Sequence, residues 1–319
     1  MPDLALEDVE AAHARIREKL VPTHLVALDL PGLDRRITVK PEYLQPTGSF
    51  KFRGASNYIA RLTEEQKRRG VIAYSTGNHA QAVALAAKVA DVRSTIVMSP
   101  DVPVHKVDRT RDLGAHVLMA EPSSEARRRL AEECARNDGM ILIPPYDDLT
   151  VMAGQGTIGL EILEETIPSI VYVPIGGGGL IAGIAAAIKQ RERSVCVIGV
   201  EPTEENDTYR SWAAGTRIGL SGPSASIADA IKVQTPGEKA FPLMQRYVDD
   251  IVLIDDRQII EAMRLYFRQT GYRLEPAGAI ALAAALHAPD DRYAAGVVVC
   301  IATGQNVTHD CFAELTGLR

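Results

Sequence analysis

Cysteine is scarce in this 319-residue chain, basic charge is not in excess, and long apolar runs are missing. The four cysteines, Cys134, Cys196, Cys300 and Cys311, have no paired spacing, which argues against a disulfide framework or a zinc site and reads as reduced, packed thiols. The net charge is -6, with no run of basic residues interleaved with aromatics, so nothing in the sequence addresses nucleic acid. No apolar run is long enough to span a bilayer, and the amphipathic, charged residues 1–20 do not form a basic segment followed by an apolar core. These absences point to a cytoplasmic protein without membrane or nucleic-acid partners. Repeats and low-complexity tracts are also lacking.

What is present is enough apolar residue, 46%, to bury a large core, at a length that favours two lobes. Short apolar, β-branched stretches (71–74, 94–98, 116–119, 140–143, 170–175, 195–200, 250–254 and 296–302) alternate with helical patterns (80–90, 124–137, 157–167, 180–191 and 256–270). That alternation predicts parallel sheet covered on both faces, with ligands at the carboxyl ends of strands.

The decapeptide QPTGSFKFRG, residues 45–54, places Lys51 just after a turn and in the first turn of a helix, with Ser49 as the expected N-cap. Partial desolvation and the helix dipole would lower its ammonium pKa, as a Schiff-base amine requires. The plain alternative is a surface lysine beside Arg53. In YSTGNHAQA, 74–82, Ser75, Thr76, Asn78 and His79 gather hydroxyl, amide and imidazole groups at a helix start, which suits a carboxylate or simply caps the helix.

VPIGGGGLIAGIAAA, 173–187, sets four glycines between a strand and a helix, a backbone cradle for a phosphate. Gly177, Gly179 and Ala182 also satisfy the relaxed dinucleotide fingerprint, with Glu201 about 20 residues on. A nicotinamide or flavin oxidoreductase is therefore a rival reading, one that leaves 45–54 and 74–82 without a role. In 200–212, Glu201, Glu205 and Asp207 bring together oxygen donors suited to magnesium or calcium, although a solvated acidic turn has the same composition. Thr303 follows the last strand, where its hydroxyl would face the crevice or simply cap the turn, while the small-residue helix after Glu275 reads as core.

Taken in order, QPTGSFKFRGA, STGNHAQA, PPYDDLTVMAGQGTIGLEI, PIGGGGLIAG, IGVEP, SIADAI and LEPAGAIALAA closely resemble the threonine dehydratase and serine racemase group of pyridoxal-phosphate enzymes, hydroxyaspartate dehydratases included. The resemblance covers nearly the whole chain. It implies a type II pyridoxal-phosphate fold, α/β, with two open, mostly parallel lobes and the cofactor in the cleft between them. Residues 1–69 and 148–319 would form the large cofactor-binding domain, 70–147 the small mobile one, and the protein a homodimer.

Carried over by position, the resemblance makes Lys51 the lysine that binds pyridoxal 5'-phosphate covalently. Phe50 would lie beside the ring and Asn78 on the ring hydroxyl, with Gly176, Gly177, Gly178 and Gly179 on the phosphate and Thr303 opposite the pyridine nitrogen. Ser75, Thr76, Asn78 and His79 would grip the substrate carboxylate. Glu201, Glu205 through its carbonyl, and Asp207 would hold a divalent cation, Mg2+ or Ca2+.

Two departures from the group's pattern matter. Residues 303–306 read Thr-Gly-Gln-Asn where Ser-Gly-Gly-Asn is usual. Thr76 stands where racemases carry the serine that protonates the far face of the substrate, and its extra methyl restricts the hydroxyl. The expectation is β-elimination of a β-hydroxy amino acid, such as threonine, serine or 3-hydroxyaspartate, to a keto acid and ammonia. An amino-acid racemase, or a bifunctional enzyme that does both, is the first alternative; a dinucleotide oxidoreductase and a non-catalytic binding protein are more remote. The chain ends soon after the Thr303 turn, which leaves no room for the regulatory domain of biosynthetic threonine deaminases and favours a catabolic-type or hydroxyaspartate-type enzyme.

Overall fold

The computed structural model describes residues 3–30, 35–222, 225–287 and 296–318. The chain begins with α1 (Leu6–Ile16), β1 (Val26–Ala27), β2 (Arg35–Lys40), α2 (Lys51–Ala60) and α3 (Glu64–Arg69). Next come β3 (Val71–Tyr74), α4 (Asn78–Val89), β4 (Ser94–Met98), α5 (Val104–Asp112), β5 (His116–Met119), α6 (Ser124–Asp138) and β6 (Ile141–Leu142). After these follow α7 (Leu149–Glu165), β7 (Ile170–Pro174), α8 (Gly179–Arg191), β8 (Cys196–Pro202), α9 (Asp207–Ala214) and α10 (Ala240–Tyr247). The last elements are β9 (Asp250–Ile254), α11 (Asp256–Thr270), α12 (Pro276–His287), β10 (Gly296–Ile301) and α13 (His309–Thr316).

Two sheets result, in the orders β1-β2-β10-β7-β8-β9 and β5-β4-β3-β6. Every pairing is parallel except β1 with β2. The expected α/β architecture of mostly parallel sheets is what forms. Insertion of β10 between β2 and β7 ties the C-terminal chain to its start, so the larger sheet is assembled from both sides of the smaller one.

Side-chain alternation gives the inner strands β7, β8 and β10 of the large sheet two apolar faces. Val171 and Val173 of β7 pack with Ile181 and Ile184 of α8, whereas Ile170 and Tyr172 pack with Ile280 and Ala284 of α12. The small sheet is covered likewise, with Val71 and Ala73 toward α4 and Ile72 toward α6. Phe52, Ala55 and Ile59 of α2 join that α4-side core, so the packing under the small sheet extends beyond residues 70–147.

Three local expectations need correction. Ser49 does not cap α2: the N-cap is Phe50, without a side-chain hydrogen bond, and Ser49 forms a backbone bridge with Gly304. The helix expected over 157–167 starts at Leu149, capped by Asp148, whose Oδ1 accepts from the Thr150 and Val151 N–H groups at 2.8 and 3.3 Å. Its glycines weaken the helical pattern but let helices approach, since a Cβ on Gly154 would stand 2.7 Å from the Gly54 Cα of α2. β2 escaped the apolar pattern because polar Thr38 and Lys40 alternate with Ile37 and Val39, yet all four are buried.

Candidate active site

The carboxyl ends of β3, β7 and β10 open onto a cavity of about 320 Å³, in the usual size range for small-ligand sites. Phe50, Lys51, the 75–79 loop, the four glycines, Glu275 and Thr303 all line it. Segments from the first sixth of the chain and from its last therefore meet where the strand ends require them to.

Lys51 starts α2, and its Nζ donates to the Pro145 carbonyl at 2.7 Å and lies 5.1 Å from the Phe50 ring centroid. Among the described residues no carboxylate pairs with it. Desolvation consequently lowers its pKa from 10.5 to about 8. Desolvation, which the sequence suggested alongside the helix dipole, is the cause of this shift.

Gly178 has a φ of 88°, in the left-handed region open to glycine, and precedes α8. A Cβ on Gly177 or Gly179 would collide with Tyr146. Among the described residues, the backbone N–H groups from Gly176 to Leu180 donate to no protein acceptor. A side-chain-free loop with unpaired donors at a helix N-terminus suits a phosphate. The partly desolvated Lys51 amine and this cradle fit pyridoxal phosphate.

Facing them is the β3 to α4 loop. Gly77 N–H donates to Ser75 Oγ at 3.3 Å, and α4 begins without a side-chain cap. Asn78 Nδ2 donates to Glu275 Oε1 at 2.7 Å, and Asn78 Oδ1 accepts from Asn306 Nδ2 at 2.6 Å. His79 is buried and bonded through Nε2 to the Ile143 carbonyl at 3.0 Å. Burial and the neighbouring Lys51 charge push its pKa down to about 3, so it is a neutral wall rather than a cation. Thr303 is buried and donates through Oγ1 to the Ala277 carbonyl at 3.1 Å.

Glu275, assigned to core packing from sequence, instead lines the cavity, and burial raises its pKa to about 7 despite the Asn78 bond. Asn306 is a second site residue that sequence reasoning missed. It links Asn78 to the Thr47 carbonyl, to which it donates at 2.9 Å. A lone acid before a proline-initiated helix gives little signal by itself; the one clue in the sequence is that Glu275 stands at the junction of a loop with a helix flanking the strands.

Glu201 does not border this cavity. It is buried at the end of β8, and its two carboxylate oxygens accept from Thr208 N–H at 3.1 Å and Tyr209 N–H at 2.7 Å. A ribose-binding role is thus not available to it. Burial, together with Asp207, raises its pKa to about 8; burial raises Asp207 to about 7. Among the described residues no three His, Cys, Asp or Glu side chains converge as a metal cluster, so Glu201, Glu205 and Asp207 do not form one through their side chains. Two buried oxygens, Glu205 Oε2 and Asp207 Oδ2, nevertheless lack a hydrogen-bond partner. Their hard-oxygen character and the crowded acids remain compatible with a cation.

The sequence matches the pyridoxal-phosphate dependent enzyme family over residues 16–304. The chain belongs to that family. The family assignment overturns the dinucleotide alternative and agrees with a lysine opposite a glycine cradle. An L-threo-3-hydroxyaspartate ammonia-lyase from Pseudomonas sp is 40% identical over 281 residues, covering 88% of each chain. The crystal structure of the T.th. threonine deaminase superposes with a TM-score of 0.90 at 37% identity, covering 95% of this chain and 99% of the other. Maize serine racemase gives a TM-score of 0.90 at 33% identity, covering 97% and 96%. Family members of this kind share the type II fold expected from the sequence.

Proposed function

We propose that the protein is an ammonia-lyase that eliminates water from a β-hydroxy amino acid, leaving a keto acid and ammonia. The observation that carries this reading is Lys51, an amine of pKa about 8 in a cavity that also holds the glycine cradle and the Ser75 to His79 loop. The ammonia-lyase and threonine deaminase relatives support the reaction class.

Gly176, Gly177, Gly178 and Gly179 would hold the cofactor phosphate through backbone N–H groups, Lys51 would anchor it, and Phe50, Asn78 and Thr303 would border its ring. When bound, pyridoxal phosphate supplies an electron-accepting ring that stabilises the charge left by removal of a Cα proton. Once the substrate amine has displaced Lys51 from the cofactor, the freed Lys51 Nζ would take that proton: its lowered pKa leaves a fraction of free amine near neutrality. Ser75, Thr76 and Asn78, with the N-terminus of α4, orient the substrate carboxylate. His79 holds this loop through Ile143. Thr303, whose Oγ1 donates to the Ala277 carbonyl, would offer the cofactor ring a neutral hydroxyl rather than a carboxylate, which would favour departure of the β-hydroxyl over return of a proton to Cα.

Glu201, Asp207 and the Glu205 carbonyl would hold Mg2+ or Ca2+, a reading supported by the unpartnered Asp207 Oδ2. Residues 70–147 are read as the mobile domain that closes the 75–79 loop over substrate, against a large domain of 1–69 and 148–319. A cytoplasmic homodimer is proposed with it.

Thr76 lines the cavity with a hydroxyl, which makes racemisation the competing outcome at the same site. Incubation with both enantiomers of serine, threonine and 3-hydroxyaspartate, with and without chelator, should release keto acid and ammonia from at least one and leave the recovered substrate's chirality largely intact. Racemised substrate without ammonia would reverse the assignment.

A further inference from the structure

The dehydratase reading leaves open which group the substrate carries beyond its β-hydroxyl. One wall of the cavity has a chemistry that this reading does not use. His105, Lys106 and Arg109 of α5 all line it. Their spacing clusters them along one side of the helix, because residues three and four apart are neighbours on its surface. The acids of α5 do not share that wall: neither Asp108 nor Asp112 lines the cavity, and Asp108 pairs with Arg111 at 3.3 Å.

The three basic side chains are also poorly satisfied. Among the described residues, His105 and Lys106 pair with no carboxylate. Arg109 donates one Nη1 bond, to Asn306 Oδ1 at 3.0 Å, which leaves most of its five N–H donors for a ligand. Acids elsewhere on the lining are Asp229 and Glu275. Glu275 is engaged by Asn78, and Lys106 acts on it only as a nearby charge.

α5 packs against α4, whose N-terminus is the proposed grip for the α-carboxylate. The methyl group of threonine has no use for a cationic wall and would desolvate it, whereas a carboxylate on Cβ would meet matched charge. We propose that Lys106 and Arg109, with His105 at the rim, form a second carboxylate subsite, so that the substrate is a dicarboxylic β-hydroxy amino acid such as 3-hydroxyaspartate rather than threonine or serine. The proposal rests on the dehydratase reading for its reaction and on α5 for its specificity.

The test uses the holoenzyme and its Arg109→Gln and Lys106→Gln variants. Initial rates of keto-acid formation from 3-hydroxyaspartate and from serine give the ratio of the two kcat/KM values. Loss of a charged hydrogen bond predicts that this ratio falls about 10- to 100-fold in each variant, chiefly through the KM for hydroxyaspartate. An unchanged ratio, whether both rates hold or both fall together, overturns the subsite and leaves α5 a structural role.

Binding of unreactive anions supplies a readout independent of turnover. Succinate, which is aspartate without its amine, should bind the wild-type holoenzyme more tightly than butyrate and lose that preference in both variants; equal binding of the two anions to the wild type overturns the proposal. Absence of ammonia from every hydroxy amino acid would overturn the dehydratase reading instead, and the succinate titration then decides the subsite alone.

Discussion

Two cations on α2, Lys51 and Arg53, stand two residues apart, the first partly and the second wholly removed from water, and they are put to opposite uses. Arg53 is fully buried. Its Nε and Nη2 meet the two oxygens of Glu42 at 2.6 and 2.7 Å, and its Nη1 and Nη2 meet those of Glu161 at 2.6 and 2.7 Å. Thr157 Oγ1 accepts a further bond at 3.0 Å. Burial alone would lower the guanidinium pKa, but the two carboxylates outweigh it and raise it above its ordinary value. Lys51 has one carbonyl and no carboxylate, and its pKa falls to about 8. A carboxylate shell fixes charge and holds structure; its absence yields an amine able to lose its proton.

The largest expected effect is a difference in sign between matched replacements. Arg53→Met leaves Glu42 and Glu161 buried without their main counter-charge and should cost about 3–5 kcal/mol of stability. Lys51→Met removes an uncompensated charge and should stabilise the cofactor-free protein at pH 7 by up to about 3 kcal/mol. The folded-state pKa of Lys51 lies below its ordinary 10.5, so the unfolded chain binds more protons between pH 8 and 10.5. Stability of the wild type therefore rises through that window, and the advantage of Lys51→Met shrinks to nothing above it. Denaturant midpoints at pH 7 and 10 measure both effects, and losses of equal size from the two replacements would erase the distinction.

Glu275 extends the comparison to an acid. Buried and facing Asn78, it has a pKa near 7, above the usual carboxylate value. Between pH 5 and 7 the unfolded chain has released this proton while the folded one keeps it, so this group's contribution to stability falls as pH rises. Glu275→Gln should remove about 2 kcal/mol of that decline. Parallel pH–stability curves for the wild type and the variant would show that Glu275 has an ordinary pKa.

Much of the frame was legible because it is local. Strands 71–74, 94–98, 116–119 and 250–254 coincide with the apolar stretches read from the sequence, and in the first two burial on both sides accounts for the nearly continuous apolar pattern. The glycine cradle and Lys51 were legible from composition and order. The polar lining was harder. Asn78 meets Glu275, and Arg109 meets Asn306, across separations of 197 residues each, so no local periodicity marks either pair. Ser49 misled for a related reason: it has the composition of a cap, but its backbone is drawn into a bridge with Gly304.

The contrast between the two cations, and the chemistry built on it, depends on Lys51 and no other lysine being the amine that carries the cofactor. Borohydride reduction of the holoenzyme followed by peptide mapping identifies that amine. A pyridoxyl group is expected on Lys51 at close to one per chain; a label on Lys106 or any other lysine, with Lys51 unmodified, would contradict the assignment.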